Sequence, residues 1–206
     1  MDELTEFNRN TLEVLREPLE DGFVTISRLY SKVKYPSKFM LIASMNPCPC
    51  GYYGHSEKKC TCSRQAINKY LGKISGPLLD RIDMHIEVKP VKYKKLEENV
   101  KAETSERIKK RVNLARKIQE KRYEKLDIFS NSELDSSLIE KYCYLNNECK
   151  QIIEKAFNKL GLTARAYTRI VKVSRTIADL DGKENIEPKH LLEAIQYRSL
   201  DRKLEK

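Results

Sequence analysis

The chain has 206 residues, 40% of them hydrophobic and 34% charged, with 40 Lys/Arg against 30 Asp/Glu and a formal net charge of +10. A folded chain of that length buries roughly 70% of the surface its unfolded form exposes, so one or two domains with a true core fit and a miniature disulfide scaffold is excluded. Seven Gly and seven Pro without a fixed repeat exclude collagenous, low-complexity and solenoid classes. The longest apolar run, Phe39 to Ala43, falls far short of the ~20 residues of a membrane span.

Met1-Asp2-Glu3-Leu4 is acidic and lacks the basic-then-apolar order of a secretory signal, so a cytoplasmic protein with no membrane partner is expected. Its six cysteines then read as thiols or metal ligands. Leu12, Leu15 and Leu19 recur at helical spacing over residues 8–20, and Asp21-Gly22 closes that helix. Phe23 to Ile26 and Phe39 to Ile42 are β-type runs; the second is apolar throughout, as a strand buried on both faces of a parallel sheet would be. Ser27 to Ser37 between them can form a basic hairpin. No acidic residue occurs between Asp21 and Glu57, whereas Arg28, Lys32, Lys34 and Lys38 all fall there. This stretch is either a short cationic surface or a solvated strand edge guarded by lysines. After Asn46-Pro47 and a cysteine-rich loop come a helix from about Ser63 to Leu71, an amphipathic turn from Pro77 to Ile82, and a strand from His85 to Val88.

Alternation of strands and helices makes residues 1–92 part of an α/β layer structure, and composition changes at Lys89-Pro90-Val91-Lys92. Beyond it the pattern is helical. Ile108, Val112, Ala115 and Ile118 mark one face of a long charged helix capped by Thr104 or Ser105. Asn146 caps a helix ended by Gly161, Thr163 caps the next through Ile177, and Pro188 opens a last one. The fold class expected is therefore α/β followed by an all-α bundle over 93–206.

In chain order, Asp2-Glu3-Leu4, Pro18-Leu19-Glu20-Asp21-Gly22, Val24-Thr25-Ile26-Ser27-Arg28, Met45-Asn46-Pro47-Cys48-Pro49-Cys50-Gly51-Tyr52-Tyr53-Gly54, Ser75-Gly76-Pro77-Leu78-Leu79-Asp80-Arg81-Ile82-Asp83 and Leu160-Gly161-Leu162-Thr163-Ala164-Arg165-Ala166-Tyr167 resemble the ComM/YifB family. These are bacterial AAA+ ATPases related to the magnesium-chelatase ATPase subunit. The resemblance implies a partial AAA+ core with an incomplete parallel sheet over 1–92 and a helical lid over 93–206. Family members carry an upstream G-x-x-x-x-G-K-[ST] phosphate loop, which this sequence lacks. The chain is accordingly expected to be a carboxy-terminal fragment, inactive alone as an ATPase.

Asp2 then matches the Walker-B aspartate supporting Mg2+, and Glu3 the carboxylate that orients or deprotonates the attacking water of ATP hydrolysis. Asn46 matches sensor 1, Arg81 the arginine finger that reaches a neighbouring subunit's terminal phosphate, and Arg165 sensor 2 on a lid helix. Each has a plainer reading: solvated terminal acids, a turn-forming asparagine, an intrahelical ion pair, a surface arginine. A finger acting across an interface implies a ring, in the family a hexamer. Arg28, Lys32, Lys34 and the aromatics Tyr30 and Tyr35 occupy the place of a pore-directed hairpin, which implies DNA as the partner; the tyrosines can equally pack on a β face.

Cys48-x-Cys50 and Cys60-x-Cys62, nine residues apart, suit a tetrahedral Zn2+ site. His55 as a substitute ligand, free thiols and an iron–sulfur cluster are the alternatives. Cys143 and Cys149 read as partly buried thiols. Three functions remain open: a DNA motor for branch migration, a magnesium-chelatase-like ATPase that remodels a protein partner, and a zinc-stapled DNA-binding module without enzymatic activity.

Overall fold

The computed structural model describes residues 1–89, 91, 102–198 and 200. They form two compact units, dividing between Ile82 and Asp83; the boundary expected at 92 lies outside the described residues.

In the first unit, a 3-10 turn at Leu4–Glu6 leads to helices α1 (Arg9–Val14) and α2 (Arg16–Asp21). The Asn8 side chain caps α1 by accepting from Thr11 N–H at 3.1 Å. Gly22 ends α2 at φ 70, a left-handed position that favours glycine. The chain then enters an antiparallel hairpin of β1 (Phe23–Arg28) and β2 (Ser31–Pro36), turning at Leu29-Tyr30. Ser37 N–H donates to the Gly22 carbonyl at 2.8 Å and closes its base.

The partner of Phe23 to Ile26 is thus β2 and not the Phe39 to Ile42 run. That run is in no assigned strand, and its burial on both faces is corrected: Phe39, Met40 and Ile42 are exposed. Its neighbour is the amino terminus. The Met1 α-ammonium donates to Ile42 O at 2.7 Å, and Ser44 N–H to Met1 O at 3.0 Å, the slanted pattern of a parallel pair centred on Met1 and Ala43. With one neighbour among the described residues, Phe39, Met40 and Ile42 stay in solvent, while Leu41 is half-buried. Helices α3 (Arg64–Leu71) and α4 (Gly76–Leu79) follow, capped by Ser63 and Ser75.

The second unit is helical. His85 forms a single parallel bridge with Arg198, its N–H donating to Tyr197 O at 2.6 Å. The strand expected over His85 to Val88 does not extend past it: Ile86 and Val88 are exposed. Helix α5 (Ser105–Arg122) is capped by Thr104, α6 (Ser136–Tyr142) by Asp135, α7 (Asn147–Leu160) by Asn146 and α8 (Ala164–Leu180) by Thr163; α9 (Pro188–Gln196) carries a Glu187/His190 capping box. Each cap contributes ~1 kcal/mol. Gly161 stops α7 at φ 59. Helix α8 is the hub, packing against α5, α6 and α9 with Ala166, Ile170, Val171 and Ala178 buried. On α5 the expected apolar face is only partly used, since Ala115 is buried but Ile108, Val112 and Ile118 are exposed.

Beneath these helices lies a polar cluster that hydrophobic periodicity does not announce. Asp179 accepts from both Arg122 guanidinium nitrogens, from Arg175 at 3.0 Å and from Asn131 at 2.8 Å. Asn131 in turn accepts from Tyr123 OH at 2.7 Å. Arg175 also donates to the Lys183 and Glu184 carbonyls at 2.7 Å each. Asp179, Arg175 and Asn131 are each only 2% exposed, so charge and hydrogen-bond satisfaction must come from within.

Candidate functional site

The Met1–Ala43 pairing brings two predicted segments to one end of the first unit. Asp2 accepts a hydrogen bond from the Ser44 hydroxyl and one from Glu3 N–H at 3.1 Å. The Ser44 hydroxyl and then the Glu3 amide hold the Asp2 carboxyl below its usual value. Glu3 has φ 48, the only non-glycine positive φ among the described residues. Such backbone costs on the order of 1–3 kcal/mol and persists where surrounding bonds over-determine it; here the following Leu4 N–H donates to Ser44 O at 2.7 Å. Glu3 and Asn46 line one cleft of about 490 Å³, together with Glu6, Pro49, Ala66, Lys69, Tyr70 and Lys73. Asp2 lies beside this cleft through Ser44 and is not part of its lining.

Lys69 and Lys73 were not anticipated from sequence. Their i,i+4 spacing on and just after α3 with Ala66 three residues earlier is the signal that sets them on one face. Lys73 pairs with Glu6 at 3.9 Å. The cleft therefore joins carboxylates, an amide and ammonium groups, which suits a phosphate with its attending water.

Arg81 follows α4. Its Nε lies 3.2 Å from Glu20 of α2, and its Nη1 donates to the Pro77 carbonyl at 2.7 Å. With its side chain 9% exposed, the guanidinium is held within its own unit, paired across helices and not along one. Arg165 belongs to the second unit, exposed in the first turn of α8.

The four cysteines of the loop converge. Cys48 Sγ lies 3.4 Å from Cys50 and 3.7 Å from Cys60, Cys50 lies 3.5 Å from Cys60, and all four sulfurs fall within 4.8 Å of one another. A tetrahedral ion with ~2.3 Å metal–sulfur bonds requires sulfurs about 3.8 Å apart, so the donor set fits Zn2+. Backbone amides supply the supporting shell: Tyr53 N–H donates to Cys48 Sγ at 3.3 Å. The amides of Tyr52 and then Thr61 draw the Cys50 thiol down to about 5. Despite the amide of Cys62, burial and the neighbouring thiols push Cys60 up to about 12. His55 is not among the ligand atoms that converge there, and its Nδ1 accepts from Glu57 and Lys58 N–H at 3.0 Å each. Ile67, Tyr70 and Leu71 of α3 pack on the loop, which ties the cysteine knob to the helix that lines the cleft. Cys143 and Cys149 are buried; burial pushes Cys143 up to about 11.

The hairpin register separates its side chains by chemistry. Val24, Ile26 and Arg28 share a face with Ser31, Val33 and Tyr35, while Thr25 and Ser27 share the other with Lys32 and Lys34. Lys32 and Lys34 thus act together, Lys34 lying 4.3 Å over the Phe23 ring, and Arg28 stands near the tip on the opposite face. Leu29 and Tyr30 at the turn are 94% and 99% exposed. Among the described residues no helix is long and apolar enough to cross a membrane.

Residues 1–96 match the family model described as magnesium chelatase, subunit ChlI, and residues 102–198 match that of the ChlI C-terminal region. The chain is 45% identical over 207 residues to the competence protein ComM of Haemophilus influenzae, covering all of this chain and 40% of that protein. It is 43% identical over 205 residues to the uncharacterized protein YifB of Escherichia coli and 42% to that of Salmonella typhimurium, in each case covering 99% of this chain and 39% of the relative. The chain thus spans about 40% of the length of the curated relatives it matches. With the two family matches falling one on each side of residues 97–101, the chain belongs to the magnesium chelatase ChlI-like family, alongside ComM and YifB.

Proposed function

We propose that this chain supplies the water-positioning and sensing groups of an ATP-driven motor that works on DNA. The observation that carries the reading is the parallel pairing of Met1 with Ala43, which sets Glu3 and Asn46 into one cleft with the ionised Asp2 at its side. Asp2 would hold Mg2+ through its carboxylate, and the ion would supply charge neutralisation on the phosphates. Glu3 accepts the proton of the attacking water or orients it, and Asn46 fixes that water by its amide. Arg81 completes the site of a neighbouring subunit in a hexameric ring once its guanidinium exchanges Glu20 for phosphate oxygens. Arg165 reports nucleotide state to the lid helices. Cys48, Cys50, Cys60 and Cys62 would hold Zn2+ as a structural staple of the loop that packs on α3.

For the DNA substrate, support comes from the cations and exposed Tyr30 of the hairpin, and from the name competence protein borne by the Haemophilus relative. Remodelling of a protein partner is the second reading, favoured by the magnesium chelatase description of both matched families. The test is ATP hydrolysis by a full-length protein that joins this sequence to a phosphate-binding loop, with and without DNA. The expected outcome is DNA-stimulated turnover, abolished by Arg81→Ala with nucleotide binding kept. Turnover indifferent to DNA favours the partner-remodelling reading, and equal rates in Arg81→Ala and parent remove the finger.

A further inference from the structure

Helix α5 carries eight Lys/Arg and two Asp/Glu in 18 residues, a net +6 of the chain's +10. Three of its cations have carboxylate partners: Lys110 with Glu106 at 2.9 Å, Arg111 with Glu103 at 3.0 Å, and Arg122 with Asp179. Arg107, Lys109, Arg116, Lys117 and Lys121 have no ion pair among the described residues and are exposed. Helical spacing arranges most of this charge. Arg107, Lys110, Leu114, Lys117 and Lys121 follow one another at intervals of three, four, three and four residues, which is a single stripe along the helix. The side turned to the bundle holds Ala115 and Gln119, each 4% exposed, more than a right angle around the helix from the stripe. At 1.5 Å per residue the stripe is ~21 Å long. In the stripe Arg107, Lys117 and Lys121 have no ion pair among the described residues and Lys110 shares the exposed Glu106, so the like-charge neighbours Arg107/Lys110 and Lys117/Lys121 weaken the helix. A polyanion relieves that repulsion and gains by release of its condensed counterions.

We propose that the α5 stripe is a second nucleic-acid contact, separate from the hairpin, at which Arg107, Lys110, Lys117 and Lys121 take backbone phosphates. The proposal rests on the reading that DNA is the substrate. An anionic membrane fits less well, because a surface helix inserts its apolar side into lipid. Here the apolar side is turned to the bundle at Ala115, its other members Ile108, Val112 and Ile118 being 36–42% exposed, and the stripe facing away from it holds one apolar residue, Leu114, 64% exposed. The contact is expected to read backbone and not sequence, since the stripe is made of ammonium and guanidinium groups, with Asn113 the one exposed amide of the helix beside it.

The experiment is fluorescence anisotropy of the 206-residue chain with ~30-nucleotide single-stranded and duplex DNA across about 0.05–0.3 M salt. Three proteins are compared: the parent, a stripe variant with Arg107, Lys110, Lys117 and Lys121 each changed to Gln, and a hairpin variant with Arg28, Lys32 and Lys34 each changed to Ala. Gln keeps helix propensity, and circular dichroism verifies the fold. The stripe variant is expected to lower the slope of log affinity against log salt by about 3, at 0.7–0.9 per phosphate contact, and equally for unrelated sequences. Should it lose helix, the Lys117→Gln/Lys121→Gln pair serves instead, with a fall of about 1.5. An unchanged slope in the stripe variant overturns the proposal; if the hairpin variant then lowers the slope, the DNA reading itself stands. A parent that shows no salt-dependent DNA binding overturns both. Tighter, stripe-dependent binding to phosphatidylserine–phosphatidylcholine vesicles than to DNA overturns it in favour of a membrane.

Discussion

Asp179→Ala is expected to be among the most damaging single changes in the helical unit, and the structure sets its size. The aspartate is fully enclosed and neutralises Arg122 and Arg175 at once. Truncation leaves the Arg175 guanidinium, 2% exposed, with only the Lys183 and Glu184 carbonyls, and strips Asn131 of one acceptor. Breaking a buried pair by removing one partner costs about 3–5 kcal/mol. Because Arg175 keeps two short carbonyl bonds and the Arg122 side chain is 15% exposed, the low end applies, about 3 kcal/mol. For a unit of about 100 residues that corresponds to a fall in Tm of roughly 12–24 °C. Thermal unfolding of the full chain followed by circular dichroism at the helical minimum measures it, and Arg175→Met in the Asp179→Ala background should recover part of the loss. A cost of Asp179→Ala below about 1 kcal/mol, or no recovery in the double variant, would mean that water reaches the cluster and the account of it is wrong.

Two further outcomes follow from the geometry. Elemental analysis of purified protein should find about one zinc per chain, lost on Cys50→Ser; less than about a tenth of an equivalent would leave the four sulfurs as free thiols. Asp181 is held down to about 2 by Lys189 and then His190. Because its folded value lies below the model-peptide 3.8, its contribution is present above about pH 4 and fades as pH falls toward 2. The stability difference between parent and Asp181→Asn should therefore be constant at neutral pH and shrink through that acid window in denaturant titrations. A difference that persists unchanged to pH 2 would contradict the pairing.

What could be read from sequence was local. Thr104, Asn146 and Thr163 each sit at a cap whose hydrogen bond closes within three residues, and Gly161 stops a helix at its own φ; such signals need no knowledge of the rest of the chain. The cysteine pairs are near neighbours, so their convergence was legible as well. Phe39 to Ile42 misled for the opposite reason: an apolar run states that a side chain prefers cover, and only the surrounding layers decide whether it receives any. Asp179 lies 57 residues from Arg122 and 48 from Asn131, and no periodicity links an acid in one helix to a base in another. Lys69 and Lys73 carry no sequence signal of a site, because only the fold gathers them in one cleft with Glu3 and Asn46.

The edge of Phe39 to Ile42 away from the amino terminus has practical weight. Among the described residues its amides and carbonyls on that side have no strand beside them, and Met40 and Ile42 are 80% and 73% exposed. An uncovered apolar edge is a template on which another extended peptide can add. For the 206-residue chain taken by itself, dilution should then govern how long the first unit stays dispersed, and a short β-forming peptide supplied in excess should slow its self-association.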